Sequence, residues 1–353
     1  MARNVNITII LSLVLIPFAV MGQNVHYGHF HALILAVMVF CAFAVPNTWL
    51  RSFLLYATGW VAWLMVNLFI GRYATTTNMS LVLIDGSFYL LLGAAFFIAV
   101  CYSDMKDETL FNAICIIAII QAVLAILQFF GVNPFFDFVR RFVKVTSELP
   151  ATAAIGTLGN NNFLAAFCAI SLPFFFRGKW FYGVPVIALS LIFAQTTTAF
   201  VAAAVGAGYF FYPRIRFKKT VLGALAGAGL LYAFIWHPFL NNPRFEYWLD
   251  GIRQITGSWA SIIFGFGPTS KWRSGDELHN VYLMVWWSYG IIGLGILIRY
   301  ILTVARENRL LFSAFIIACI DAIGNHGVAY TVPTAMLTIT IMALIERGHE
   351  QRV

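Results

Sequence analysis

The chain is a succession of long, continuously apolar runs separated by short polar or charged breaks. A hydrocarbon core about 30 Å thick takes about 20 apolar residues of helix. Runs of roughly that kind fall at 6–22, 29–45, 51–70, 81–101, 110–130, 161–176, 180–195, 197–212, 219–236, 279–298, 309–323 and 331–346. The stretch 180–212 reads either as two short spans or as one re-entrant unit. Inside the runs the apolar residues do not alternate with polar ones at period two, so a β-barrel is excluded and helices are predicted. The expected fold class is all-α, a polytopic membrane helical bundle of about 12 transmembrane helices forming a single transmembrane domain over 1–353. The first run, with Arg3 ahead of it and Pro17 within it, has the outline of a secretory signal. No A-x-A-like cleavage site follows, so it is read as a span.

Composition points the same way. Hydrophobic residues make up 61% of the chain and charged residues 10%, against about 25% charged in soluble domains. A soluble enzyme is excluded, because so few polar groups cannot cover the surface of a folded chain in water. The five cysteines lie in or beside apolar runs with no C-x-x-C pairing, which predicts core residues and neither redox chemistry nor zinc. Gly206, Gly208, Gly223, Gly227 and Gly229 fall within runs and predict close helix packing.

The net charge of +8 is explained mostly by topology. With an even number of spans both termini share a side. That side then holds Arg3, Arg51, Lys106, Arg177, Lys179, Arg214, Arg216, Lys218, Lys219, Arg299, Arg306, Arg309, Arg347 and Arg352, the larger part of the 22 basic residues. Cytoplasmic loops carry such an excess, so the termini are expected on the cytoplasmic side. The basic surface is matched to membrane lipids, and no nucleic-acid partner is implied. On the other side most of the basic residues sit in two long outer-side segments, the loop 131–160 and the large loop 237–278. They either bind something anionic or ride in loops long enough to translocate whatever their charge. Within the larger loop Phe245, Trp248, Leu249 and Ile252 recur at helical spacing, with Arg244, Asp250 and Arg253 on other faces, which predicts an amphipathic helix along the membrane.

Among candidate chemical groups, the run His26, His29, His31 fits no standard metal-site spacing and is read as interfacial. His326, near Asp321, is either structural or part of a pocket. His279 opens an apolar helix after a Gly- and Pro-containing loop, where unpaired backbone N–H groups and the helix dipole favour anions. Arg244 precedes it in the same loop, and a guanidinium grips phosphate oxygens with two parallel N–H donors. The pair fits chemistry on a lipid-linked substrate with a phosphate leaving group; the alternative is a solvated arginine beside a structural histidine.

At these residues the sequence resembles the O-antigen ligase superfamily, which comprises O-antigen ligases, O-antigen polymerases and protein O-oligosaccharyltransferases. Three segments carry the resemblance. GTLGNNNFLAAFCAISLPFFF is similar to a Gly-Asn-x-Asn segment entering a span, with Gly159, Asn160, Asn162 and Phe163. PRFEYWLDGIRQI and the following FGFGP are similar to an Arg-x-x-x-Trp helix with a later Gly-x-Gly, here Arg244, Trp248, Gly265 and Gly267. HNVYLMVWWSYGIIGLGI is similar to a His-Asn-x-x-Leu…Gly-x-x-Gly signature, here His279, Asn280, Leu283, Gly290 and Gly293. The likeness covers roughly residues 115 to 300, and the flanking regions add hydropathy only. One departure stands out: a Ser-Arg pair usual in the family is replaced by Thr196, Thr197 and Thr198, with no arginine.

The resemblance implies a GT-C-like glycosyltransferase. It would move a glycan from undecaprenyl diphosphate to a hydroxyl of lipid A core, of a growing O-antigen or of a protein, at the periplasmic face of a bacterial inner membrane, with inversion and without a metal ion or other cofactor, and 131–160 and 237–278 would be periplasmic loops. It also implies roles. Arg244 would stabilise charge on the departing diphosphate. His279, whose side-chain type titrates near pH 6.5, would be the general base. Arg140, Arg141, Asn160, Asn162, Trp248, Arg253, Asn280 and His326 would line the substrate, with Arg140 or Arg141 supplying the cation that the threonine run lacks. Asn280 has a second reading as a helix cap. The competing class is a transporter or flippase for an anionic lipid-linked glycan, which would use the same cations for binding alone. Charged residues at mid-span would mark a transporter, and these spans nearly lack them. A family member with only a scaffolding role is a third reading, kept open by the missing arginine.

Overall fold

The computed structural model describes residues 6, 9, 96–101, 103–134, 154–158, 160–214, 243–266, 278–304, 308–324 and 332–350. Over these the chain is all-α, with no strand. The runs expected at 29–45, 51–70 and 219–236 lie outside the described residues, as do most of 6–22 and 81–101; helix is seen at 96–101. The helices are α1 (Asp107–Phe129), α2 (Asn161–Ser171), α3 (Val184–Ala194), α4 (Thr197–Phe211), α5 (Pro243–Thr256), α6 (Trp259–Phe264), α7 (Val281–Thr303), α8 (Arg309–Gly324) and α9 (Val332–Glu350).

Two of them, α1 and α7, are long and apolar enough to cross a membrane. The helices α2, α3 and α4 are shorter, and tighter 3-10 turns extend them: Leu172–Phe176 prolongs α2, Gly178–Gly183 leads into α3 and Tyr212–Arg214 follows α4. A 3-10 turn rises about 2 Å per residue against 1.5 Å in an α-helix, so each composite reaches roughly 27 to 29 Å. The stretch 180–212 is thus two helices, joined by a turn at Gln195, which adopts a left-handed φ of 54°.

The helix α2 sits at the centre and touches α1, α3, α4, α8 and α9. Its residues Leu164 to Ser171 are buried without interruption, the pattern of a helix enclosed on every side. The closest pairing is α4 on α8. A Cβ on Gly206 would lie 2.2 Å from the Ile317 side chain, and Ser313 donates a 2.5 Å hydrogen bond to the Gly206 carbonyl. The expectation of a packing glycine holds there and not at Gly208, where nothing stands within 4 Å. Cys115 and Cys168 are buried core residues.

Helix ends sort into two groups. At one, Arg347 of α9 pairs with Asp107 of α1, Trp180 donates to Asn112 at 2.6 Å and Arg177 lies over the Phe111 ring. At the other, the end of α3 meets the start of α2 through Asn161 Nδ2 and the Ala194 carbonyl, 3.1 Å. A second, smaller core of Ile255, Leu278 and Trp287 joins α5, the 278–280 segment and α7. Here α7 is broken. Gly290 has φ 68° and ψ −170°, a conformation open to glycine and costly for other residues, and a Cβ on it would lie 1.9 Å from the Ile263 carbonyl oxygen. The break lets α6 lie against the α7 backbone, with Phe266 N–H donating 2.6 Å to Trp287 O and Trp286 Nε1 donating 3.3 Å to Ile262 O. Since Gly290 is nine residues into α7, about 14 Å along its axis, the α6 segment runs well down the side of α7 instead of staying at its tip.

Candidate functional site

The elements at the second end bring together segments distant in sequence. The helix α5 forms because PRFEYWLDGIRQIT opens with Pro243, which suits a first helical turn, and carries apolar residues on one face with Glu246, Asp250 and Arg253 elsewhere. Arg244, Trp248, Gly251 and Ile255 recur at four, three and four residues, so they share a side. That side meets the residue before His279. Trp248 Nε1 donates to Leu278 O at 2.8 Å, a Cβ on Gly251 would lie 2.5 Å from the Leu278 side chain, and Ile255 packs with Leu278 in the smaller core.

One turn before Trp248, Arg244 reaches α8 and donates from Nη1 to the Gly324 carbonyl at 2.6 Å. Burial lowers the affinity of this guanidinium for its proton, and the negative charge of Asp321 opposes that shift. Arginine remains a cation under such opposed influences. Asp321 is fully buried, one helical turn before Gly324. Gly324 in turn abuts the start of α4, where a Cβ would lie 2.2 Å from the Thr198 methyl. The threonine run that replaces an arginine in the resemblance is therefore next to the carbonyl that Arg244 grips.

His279 is half-buried and holds a left-handed φ of 48°. This region is sparsely populated by non-glycine residues, although histidine tolerates it better than most. It is held on both sides: Leu278 by Trp248, and Asn280 by capping α7, its Oδ1 accepting from Leu283 N–H at 3.1 Å. Of the two readings of Asn280, the cap is the geometry observed. Tyr282, the second residue of α7, donates 2.8 Å to the Cys319 carbonyl and fastens this helix start to α8.

The asparagines of the first motif bond one to the backbone and one to a side chain. Asn160 caps α2, its Oδ1 accepting from Asn162 N–H at 2.8 Å. Asn162 Oδ1 accepts from Thr196 Oγ1 at 3.2 Å. Arg253 stands apart: nine residues past Arg244, it is half a turn around α5 and exposed. Arg140, Arg141 and His326 lie outside the described residues.

The structure thus gathers Arg244, Trp248, the flank of His279, Asn280, Asn162 and Thr196 at one end of the bundle. Sequence reading did not single out Tyr282 or Gly324 there; the only cue was their place at helix ends flanking the motifs. Of the motif glycines, Gly267 lies outside the described residues, and Gly265 of the second motif meets Gly290 of the third. Gly265 and Gly290 face each other backbone to backbone, a Cβ on Gly265 falling 2.5 Å from Trp287 O. No protein-family model matches this chain, and no curated protein does.

Proposed function

We propose that the protein is a polytopic glycosyltransferase of the bacterial inner membrane, with about twelve spans and cytoplasmic termini. It would transfer a glycan from undecaprenyl diphosphate to an acceptor hydroxyl of lipid A core, a growing glycan or a protein. The observation that carries the reading is the convergence of Arg244 and the His279 segment on one end, linked through Trp248 and Leu278 and pinned to α8 at Gly324.

The membrane setting is supported by α7. Only 11% of its most apolar window is buried, against 56% for α1, and Ile291, Ile292, Ile296, Ile298 and Leu302 lie exposed along it. A buried apolar helix such as α1 also occurs in soluble cores, whereas an exposed apolar stripe needs a cover, and lipid is the cover this reading assigns to it. Sidedness is supported by Lys106, Arg177, Lys179, Arg214, Arg299, Arg309 and Arg347, which all occur at helix ends on the Asp107 side.

In the proposed reaction the acceptor oxygen attacks the anomeric carbon while the bond from that carbon to the diphosphate oxygen breaks. The electron pair leaves with the diphosphate, whose growing negative charge Arg244 stabilises, and the acceptor proton passes to the His279 imidazole. Preorganised cations of this type supply much of the barrier lowering when charge develops on a leaving group. Attack opposite the leaving group inverts the anomeric centre. Trp248 and Asn280 serve by fixing the backbone on either side of His279.

The test is to incubate protein in lipid nanodiscs with a polyprenyl-diphosphate-linked glycan and acceptor, and to look for the covalent product. Product made by the wild type and lost in His279→Ala and Arg244→Ala supports the proposal. Movement of the glycolipid across liposomes with no new linkage would identify a transporter instead.

A further inference from the structure

The segment just before Asn160 is not a surface connection. Ala154, Ile155, Gly156, Thr157 and Leu158 are all buried, which is unusual for irregular backbone because its N–H and C=O groups must be satisfied away from water. Two glutamines of α1, themselves at most 2% exposed, supply the partners. Gln128 Oε1 accepts from Ile155 N–H at 3.0 Å and from Gly156 N–H at 2.7 Å. Its Nε2 donates to the Gly156 carbonyl at 2.7 Å and to Asn133 Oδ1 at 3.1 Å. Gln121 Oε1 accepts from Thr157 N–H at 2.9 Å, and its amide also bonds the Thr157 hydroxyl at 2.8 Å. Gly156 has φ 58°, and a Cβ there would lie 2.5 Å from Gln121 Oε1.

The spacing of the glutamines gives the direction of the segment. They are seven residues apart, two turns and about 10 Å along α1, so between Ile155 and Thr157 the chain steps down the inner wall of the bundle from the tip of α1. From there it enters the Asn160 cap and α2. Asn162 then accepts from Thr196, and the threonine run leads to Thr198, which packs on the Gly324 that accepts from Arg244. A connected path of polar and close contacts thus runs from the Gln128 amide to the Arg244 guanidinium, all at one end.

We infer that Ala154–Leu158 is a re-entrant turn that sets the polar rim beside Arg244, and that Gln128 and Gln121 are positioning residues for recognition of the diphosphate of the lipid-linked donor. The inference rests on the reading of Arg244 as the diphosphate-binding cation. The glutamines do not touch the donor; they hold the backbone that orders Asn162 and Thr196 next to that cation.

The experiment measures binding of geranylgeranyl diphosphate to the full chain in nanodiscs, together with amide hydrogen exchange, for wild type, Gln128→Met, Thr157→Val and Arg244→Ala. Gln128→Met keeps the side-chain volume and removes the amide; Thr157→Val removes only the hydroxyl that Gln121 bonds. The expected result is faster exchange at the amides of Ile155 and Gly156 in Gln128→Met, with the α1 amides unchanged. Binding should weaken about tenfold in Gln128→Met and about threefold in Thr157→Val, losses of about 1.4 and about 0.6 kcal/mol. Should Gln128→Met aggregate, Thr157→Val alone decides by its dissociation constant. Faster exchange with an unaltered dissociation constant would leave the turn a scaffold only and overturn the inference. If Arg244→Ala itself binds the diphosphate as the wild type does, the site reading has failed first; if it weakens binding while both turn variants do not, only the present inference falls.

Discussion

Arginine occurs at both ends of this bundle, and the two best-defined examples are built differently. Arg347, 8% exposed, turns its guanidinium onto the opposite chain segment: Nη1 donates to the Val100 and Ser103 carbonyls and the Ser103 hydroxyl, and Nη2 meets the Asp107 carboxylate. It clips the end of α9 to the start of α1. Arg244 stands on a helix with exposed Phe245 and Leu249 beside it, donates to the helix-end carbonyl of Gly324 in α8 and feels the charge of Asp321 in the same helix. The contrast teaches that a cation counts toward function by what surrounds it. A guanidinium bonded to backbone, hydroxyl and carboxylate in one place is a fastening, whereas Arg244, carried on a loop helix to the junction of several helix ends, is the one proposed to meet a ligand's charge.

The largest expected effect of breaking the contrast is on turnover. Arg244→Ala should lower product formation about 10²- to 10³-fold, the size seen when one preorganised charge-stabilising donor is removed, while the melting temperature of the solubilised protein moves little. Arg347→Ala should do the reverse. Because Asp107 is half-exposed and screened, the loss belongs toward the low end for broken buried pairs, about 2 to 3 kcal/mol, read as a fall in thermal midpoint with turnover per folded molecule kept. If the two alanine variants were alike in both measurements, the distinction between fastening and site would fail.

How far the sequence foreshadowed this arrangement differs between levels. Apolar runs placed α1, α2, α7, α8 and α9 to within a few residues, because each is continuous in hydropathy and is stopped by charge or by glycine. Pattern did not reveal the break in α7: Gly290 was read only as part of a Gly-x-x-Gly signature, and its positive-φ backbone lies against Ile263 of α6. The site was legible as residue types and less so as roles. Asn160 and Asn280 were expected at the substrate, Asn280 with a second reading as a cap, and both cap helices; cap and ligand demand the same short polar side chain at a helix start, so sequence alone cannot separate them. Trp248 was grouped with the membrane-facing residues of α5, and its indole N–H turned it inward to Leu278.

A finer test keeps the charge and removes the fork. Lysine offers a point charge where arginine offers parallel donors. Arg244→Lys should retain more turnover than alanine, with about a tenfold loss if a two-pronged grip on the diphosphate matters. Arg347→Lys should recover the Asp107 contact and lose the Val100 and Ser103 bonds, at about 1 kcal/mol of stability for each bond lost. A lysine that restores full turnover at position 244 would show that the site asks only for positive charge.

The smallest effect expected is at Trp248, which belongs to neither class of residue. Trp248→Phe retains an aromatic body for packing against Phe245, whose ring lies 5.3 Å away, and deletes the bond to Leu278 O. The direct loss is about 1 kcal/mol. Its consequence should nevertheless fall on turnover and not on melting, because Leu278 precedes the residue whose left-handed backbone aims the imidazole. A severalfold fall in turnover, with donor binding unchanged, would mean that α5 serves both chemical groups: its first turn carries the cation, and its second fixes the backbone of the base. An equal fall in binding and turnover would instead make Trp248 part of the donor surface, as the sequence first suggested.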